Sequence, residues 1–310
     1  MDEKYEIMNL LQVKQNLTKE LNNLVYGSIE IRENSSNRYI YVHYREDGIL
    51  LTKYVGEYSD ELHNLILNNT IKAKELKKEI KKIEKQLKKL NYINEELSPE
   101  IKKNIDFAKR HLVDNIYNQA ILEGVATTFA DTESIIEGGK INNMSSEDVL
   151  KIVNLKHAWE FILNKNIILS DTNFPLLCEI NKFVEEGFYY NAGKLRSVPV
   201  SIGGTKWAPE LPIESIIRED IQNIFNMEIN DIDKAIELLL YIMKKQIFID
   251  GNKRTSIIFA NHYLISKGQG IIAIPANLTN EYKKLLIDYY EGKDSTEIKK
   301  FLKEKCFIQI

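Results

Sequence analysis

The sequence is poor in the residues that build disulfide frameworks and zinc sites. Its 310 residues include only two cysteines, Cys178 and Cys306, and five histidines. The cysteines are far apart in sequence and have no histidine or cysteine neighbour at ligand spacing, and no two histidines form an HxxxH or HExxH pair. We therefore expect neither a disulfide framework nor a zinc site, and we interpret both thiols as small buried hydrophobic groups.

Long apolar runs and a strong net charge are also missing. No segment is apolar enough to span a bilayer, and the N-terminus MDEKYEIMNLLQ lacks the regions of a signal peptide. The formal net charge of −3 means that a nucleic-acid or membrane partner would need a local patch. We predict a globular protein in the cytoplasm, without a membrane partner.

Residues 1–95 predict a small α+β module. A helical segment at the N-terminus ends at Gly27. Three segments rich in β-branched and aromatic residues follow, at 28–32, 39–45 and 49–55. They are separated by polar turns, of which Asp47-Gly48 is a strong hairpin signal. We expect a three-stranded antiparallel meander.

Residues 62–90 predict one long helix with a heptad seam, because apolar residues recur at alternating steps of four and three. Its segment 71–90 holds nine lysines against three glutamates, a local charge of +6. We favour a solvated face whose seam packs on the N-terminal helix. The alternatives are a homodimer through 62–90, or a basic surface for nucleic acid with Tyr39 and Tyr41 as stacking groups.

A domain boundary is predicted near residues 91–99, and residues 100–310 are predicted to be a mainly α domain. The exception is 191–212, where Val198, Val200 and Ile202 alternate with other residues before the turn at Gly203-Gly204. This pattern predicts a β-hairpin. Because it has no sheet to complete, we interpret it as a cover over a site.

The stretch QIFIDGNKRT, residues 246–255, lies between two strongly apolar helical segments. The first turn of a helix has unpaired backbone N–H groups and a partial positive charge. A glycine there allows a ligand close to the backbone, while Lys253 and Arg254 add two cations. The pattern predicts an anion site suited to phosphates, with Asp250 as a ligand for Mg²⁺. An ordinary Asp-Gly-Asn turn is the alternative.

This stretch resembles the signature HxFx(D/E)GNGRxxR of the Fic (Fido-fold) family, with NKRT as in its Doc-like branch. Phe248, Asp250, Gly251, Asn252 and Arg254 match the signature, and the segment 193–209 is similar to the flap that precedes it. The resemblance covers roughly residues 101–300. It implies a helical Fic core that transfers AMP from ATP, or phosphate, to a hydroxyl of a target protein. The target would dock along flap 193–209 by β-strand addition.

The resemblance also assigns roles to residues, including some that depart from the signature. Asp250 would bind Mg²⁺ and Gly251, Asn252, Lys253 and Arg254 would hold the phosphates of ATP. Gln246 stands where the family has its catalytic histidine, and an amide can orient a hydroxyl but cannot take its proton. Ile257 replaces the last signature arginine. The alternative function is a catalytically inactive nucleotide-binding module.

Residues 132–138, TESIIEG, resemble the inhibitory motif (S/T)xxxE(G/N) of many Fic proteins. Glu137 and Gly138 are in register, but Glu133 stands where the motif has Ser or Thr. The resemblance implies that Glu137 restrains ATP by pairing with Arg254 or Lys253. The arginine with which this glutamate usually pairs in the family is replaced by Ile257 here. A glutamate near a helix end that Gly138-Gly139 terminates is the alternative.

Overall fold

The chain folds into two compact units, Met1–Asn94 and Glu95–Ile310. The computed structural model describes residues 3–34, 37–46, 49–90, 97–139, 141 and 144–310. The predicted turns at 35–36 and Asp47-Gly48, and most of the predicted boundary segment, lie outside the described residues. No helix in these described ranges is long and apolar enough to cross a membrane.

The first unit is the predicted α+β module. Helix α1 (Glu3–Asn22) precedes a three-stranded antiparallel sheet in the order β1-β2-β3, and helix α2 follows it. Their bounds are β1 Ser28–Asn34, β2 Asn37–Glu46, β3 Ile49–Glu57 and α2 Asp60–Lys89. Ile40 and Val42 alternate on one face of β2 and pack with Ile66 of α2, so the sheet and this helix share one core.

The heptad seam of α2 packs against its own chain. Ala73 and Leu76 form a buried cluster with Leu21 of α1, and Ile80 contacts the cluster. The basic face remains largely uncompensated: Lys72 pairs with Glu20, whereas most of the lysines in 74–89 have no ion pair among the described residues. The favoured interpretation of the seam as an intrachain contact agrees with this packing.

The second unit is mainly helical, so the predicted fold class is confirmed. Its helices, in chain order, are α3 Pro99–Arg110, α4 Leu112–Leu122, α5 Phe129–Ile136, α6 Ser146–Ile162, α7 Lys165–Ile168, α8 Phe174–Val184, α9 Glu214–Asn226, α10 Asp231–Lys245, α11 Asn252–Ser266, α12 Thr279–Tyr290 and α13 Thr296–Phe301. A 3₁₀ turn spans Ala276–Leu278, and a π-helical turn covers Leu302–Cys306. Strands β4 Ile271–Ile272 and β5 Phe307–Ile308 pair antiparallel.

Helix α11 lies at the centre of this unit. It packs against α10, α8 and α6, and almost all of its side chains are buried. Several of its buried polar residues are hydrogen-bonded: Asn261, for example, donates to the carbonyls of Ile257 and Ile272. Because a helix enclosed on all sides is rigid, the loop that precedes α11 is held in a fixed position.

Candidate functional site

Helix α10 ends in an unusual backbone conformation at Gln246. Its φ of 47° makes it the only non-glycine residue with positive φ in the part of the chain that the structure describes. The backbone N–H bonds to the carbonyl of Ile242, and the side-chain Nε2 donates to the carbonyl of Met243 at 2.6 Å. A left-handed residue is a common way to end a helix, but it is strained for a residue other than glycine.

Asn252 closes the loop that follows. Its Oδ1 accepts from the backbone N–H of Phe248 at 2.9 Å, and its Nδ2 donates to the Phe248 carbonyl at 2.8 Å. The same Nδ2 donates to Oε1 of Gln246 at 3.2 Å. Asn252 is buried, so its side chain holds the loop rather than presenting a free amide, and both ends of the Gln246 amide are engaged.

Gly251 allows a buried carboxylate to come against the loop. Its φ is 73°, and a Cβ at this position would lie 2.3 Å from Oε1 of Glu185. Beside it, the Asp250 side chain is 52% exposed and accepts from the Gly251 N–H at 2.6 Å. No residue with a side chain fits at position 251 without moving Glu185.

Arg254 lies in the first turn of α11 with only 3% of its side chain exposed. Its Nη2 is 2.7 Å from Oε1 of Glu185, its Nε is 3.7 Å from Oε2 of Glu123, and Asp250 is 3.8 Å away. Lys253 pairs with the same Glu123 at 3.3 Å. The Nε and Nη1 atoms of Arg254 have no hydrogen-bond acceptor among the described residues. Such buried, unsatisfied donors on a cation are the features of an anion site.

Glu185 follows α8 and is almost fully buried, with 2% of its side chain exposed. Burial raises the pKa of this carboxyl to about 7, although Arg254 acts in the opposite direction; the negative charges of Asp250 and Glu123 raise it further. The site therefore contains a carboxyl that changes charge near neutral pH.

Glu137 is the exposed C-terminal cap of α5, and the structure shows no ion pair between it and Lys253 or Arg254. Glu123, the C-terminal cap of α4, makes the contacts predicted for Glu137. Both glutamates precede a glycine at a helix end, and this Glu-Gly signal could have identified Glu123. No sequence signal pointed to Glu185.

The segment 193–209 covers the loop but differs from the predicted hairpin, because the structure shows no strand in it. The buried guanidinium of Arg196 donates hydrogen bonds to the carbonyls of Val198, Pro209 and Glu210, at 2.9, 3.2 and 2.6 Å. These carbonyls are therefore not free for cross-strand pairing, and the prolines at 199, 209 and 212 lack an N–H to donate.

The flap segment is fastened to the loop that follows α10 at two points. Arg196 donates from Nε to the carbonyl of Gln246 at 2.5 Å, and its backbone N–H bonds to the carbonyl of Ile247. Asn181 of α8 accepts from the N–H of Gly193 at 2.9 Å and donates to the carbonyl of Asp250 at 3.1 Å. The start of the flap and the loop thus share hydrogen-bond partners.

His262 cannot replace the missing catalytic histidine. It is fully buried, its Nε2 lies 2.9 Å from the carbonyl of Ile167, and its Nδ1 lies 2.8 Å from the hydroxyl of Thr172. Since a carbonyl only accepts, Nε2 carries the proton and Nδ1 accepts from Thr172. Burial lowers the pKa of His262 to about 4, which agrees with a neutral structural role.

Asp250 fits a metal whose other ligands come from a second molecule and water. No group of three His, Cys, Asp or Glu residues in the described chain could hold a metal alone. The exposed Asp250 carboxylate, one residue before Gly251, fits Mg²⁺, which usually takes one or two carboxylates together with phosphate oxygens and water. The residues present therefore fit a metal that arrives with a nucleotide.

Comparisons with known proteins agree with this fold. No curated protein matches the sequence. Among solved structures, Fic-1 from C. elegans is 17% identical with a TM-score of 0.53, covering 78% of this chain and 79% of its own. A Fic domain containing signaling protein from Bacteroides thetaiotaomicron is 18% identical with a TM-score of 0.52, covering 66% and 81%. A Fic family protein from Desulfovibrio desulfuricans is 14% identical with a TM-score of 0.51, covering 67% and 72%.

These likenesses concern the fold. The sequence itself matches the model of the Fic/DOC family over residues 171–264, a range that begins just before α8 and contains the flap, the loop and most of α11. The predicted resemblance is confirmed over this range: residues 171–264 are similar to the Fic/DOC family, and the solved structures share its fold.

Proposed function

We propose that this chain binds ATP with Mg²⁺ and transfers AMP, or phosphate, to a hydroxyl of a target protein. The match of residues 171–264 to the Fic/DOC family supports a transferase of this general type. The observation that carries the proposal is the burial of Arg254 at the start of α11 with Nε and Nη1 unsatisfied. A buried cation with free donors at a helix N-terminus is suited to phosphate oxygens.

The residues around Arg254 would have separate roles in binding ATP. Gly251 allows the phosphates to come close to the backbone N–H groups of the first turn, and Arg254 and Lys253 supply positive charge. Asp250 would hold the Mg²⁺, which lowers the negative charge of the phosphates when it is bound. Glu123 must release Lys253 before this lysine can contact phosphate, so Glu123 would restrain ATP as Glu137 was predicted to do.

In the proposed reaction, the target hydroxyl oxygen forms a bond to the α-phosphorus of ATP while the bond to the β-phosphate oxygen breaks, and pyrophosphate leaves. If phosphate is transferred instead, the hydroxyl attacks the γ-phosphorus and ADP leaves. The hydroxyl proton passes to solvent, because Gln246 cannot accept it. A general base usually contributes about two to four orders of magnitude in rate, so the transfer would be slow.

The target would dock along residues 193–209, which form no strand of their own, through the backbone groups that Arg196 leaves free. Main-chain pairing would align the target hydroxyl with the loop, since Arg196 joins the flap to Gln246. The proposal places the protein in the cytoplasm. Self-association through the remaining exposed residues of α2 is a separate proposal, tested by the molecular mass of the full chain in solution.

A nucleotide-binding module without turnover is the second candidate. It is favoured by the Gln246 amide, which bonds to Met243 and Asn252 instead of pointing a free group toward a substrate. It is also favoured by the engagement of both nitrogens of His262. This candidate predicts that the chain binds ATP but transfers no label to any protein.

The experiment that separates the candidates is label transfer in lysate with Mg²⁺, using ATP labelled at the α- or the γ-phosphate. Wild type, Glu123→Gln and Gln246→His are compared, with Glu137→Gln as the matched control at an exposed helix end. Label from the α position supports AMP transfer, and label from the γ position alone supports phosphate transfer. ATP binding without label in any variant, Gln246→His included, supports the module without turnover. Absence of ATP binding in the folded wild type would contradict both candidates.

A further inference from the structure

The beginning of α6 lies beside the Arg254 site. Asn154 donates from Nδ2 to the carbonyls of Val184 and Glu186, at 3.2 and 2.7 Å. These two carbonyls flank Glu185, the buried partner of Arg254. In the same region, a Cβ at Gly187 would lie 3.2 Å from the side chain of Leu150. The face of α6 that carries Leu150 and Asn154 therefore packs on the turn that contains Glu185.

Lys151 is the cation on this part of α6. It lies one turn before Asn154, on a helix fixed by the two hydrogen bonds above. Hydrogen bonding to Glu147 raises the pKa of Lys151, and the positive charge of Arg254 acts against this. The Lys151 charge in turn opposes the effect of burial on Glu185. Since residues three apart share one face of a helix, Lys151 lies on the side of α6 whose Asn154 holds the turn that contains Glu185.

The other cations of the site are already engaged. Arg254 pairs with Glu185 and Lys253 pairs with Glu123. One turn further along α11, the side chain is the buried Ile257, which supplies no charge. A triphosphate carries several negative charges, and its binding is favoured by more positive charge than these two paired residues leave available.

Lys151 is paired with acidic residues of its own helix. Its Nζ is 2.7 Å from Glu147 and 3.7 Å from Asp148, and its side chain is 22% exposed. Ion pairs between neighbouring residues on an exposed helix face are weak. A phosphate group can therefore take Lys151 from Glu147 at small cost, and a lysine side chain has the flexibility to move between these partners.

We infer that Lys151 is a third phosphate-binding cation of the nucleotide site, supplied by α6 rather than by the loop and α11. The inference rests on the proposed function, because it needs a polyphosphate bound at Arg254. It assigns Glu147 the opposite effect: this carboxylate competes with the phosphates for the same ammonium.

The test is titration calorimetry of the full chain with ATP and Mg²⁺. Lys151→Gln is expected to weaken ATP binding about tenfold or more, as for the loss of a charged hydrogen bond. Lys151→Arg should retain binding, and Glu147→Gln should strengthen it. Lys156→Gln is the matched control on the same helix, because that ammonium donates to the carbonyl of Ile136 at 2.7 Å instead. Circular dichroism establishes that each variant is folded.

Adenosine and tripolyphosphate serve as partial probes. Lys151→Gln should weaken the binding of tripolyphosphate as much as the binding of ATP, and it should leave the binding of adenosine unchanged. Unchanged ATP affinity in folded Lys151→Gln, or an equal loss for adenosine, would overturn the inference while the proposed function stands. If the folded wild type binds neither ATP nor tripolyphosphate, the proposed function fails together with it.

Discussion

At the scale of single residues, the burial of Glu185 makes the stability of the protein depend on pH. The pKa of Glu185 is about 7 in the folded protein because of burial, against an ordinary value of 4.5. Between these two pH values, the folded state binds a proton that the unfolded state has lost, so the free energy of unfolding falls as pH rises. The shift corresponds to about 3 kcal/mol at most.

The first prediction is that Glu185→Gln flattens this pH dependence. Glutamine does not titrate, so the variant should lose less stability than wild type between pH 5 and pH 8. Urea denaturation at several pH values measures the difference. Glu179→Gln, at a buried glutamate of α8 that pairs with Lys182 at 3.3 Å, is the control and should keep the wild-type slope. Parallel curves for Glu185→Gln and wild type would contradict the prediction.

The second prediction concerns the close approach at Gly251. Gly251→Ala should destabilise the protein by more than about 1 kcal/mol, because a positive φ and a contact with Glu185 both oppose a side chain there. Gly292→Ala is the matched control: its φ is 85°, but a Cβ would meet no atom within 4 Å. The difference in unfolding free energy between the two variants measures the contact with Glu185. Equal values would show that the contact costs nothing.

Residues of the loop could be predicted from sequence, whereas their partners could not. The apolar pattern and the glycine located the loop between two helices, and the Fic resemblance was carried by residues that are close in sequence. Glu123 and Glu185 reach Arg254 only because α4, α8 and α11 meet in space. Two consecutive helices end in Glu-Gly, and nothing in their local sequence shows which end faces α11.

At the scale of elements, the flap depends on one side chain. Arg196 makes four side-chain hydrogen bonds to backbone carbonyls, joining both ends of the flap to Gln246. The alternation of Val198, Val200 and Ile202 predicted strands, but this buried guanidinium competes successfully for the carbonyls that a ladder would use. Such competition cannot be seen in a period-two pattern.

The third prediction is that Arg196→Met opens the flap. The loss of these charged hydrogen bonds should raise the population of open flap about tenfold or more. Limited proteolysis with an enzyme that does not recognise Lys or Arg should then cut faster within 197–209. Lys206→Met, at an exposed flap residue, should leave the rate unchanged. Equal rates for both variants would contradict a role of Arg196 in holding the flap.

At the scale of the whole molecule, all site residues belong to the second unit, Glu95–Ile310. The first unit has its own core, built from the sheet, α1 and α2. Its basic helix face follows directly from composition, and the seam from periodicity, so both could be predicted. A regular repeat of lysines does not specify a binding partner, so a partner of this face could not be predicted from the sequence.

The fourth prediction is that residues 95–310 alone bind ATP as tightly as the full chain. Lys151, Glu185, Arg254 and the flap are all contained in this fragment. Calorimetry on the folded fragment and on the full chain tests it, with Arg254→Gln in both backgrounds as the control for specific binding. A folded fragment that has lost affinity would show that the first unit contributes to the nucleotide site.

Asn181 gives the molecule a property that neither the flap nor the loop has alone. Its amide holds the N–H of Gly193 with one end and the carbonyl of Asp250 with the other. A target that shifts the flap must change the energy of the loop, and a nucleotide that shifts the loop must change the energy of the flap. By thermodynamic reciprocity, each ligand then alters the affinity of the other by the same factor. Order of addition would not affect this factor, and Asn181→Ala would bring it toward one.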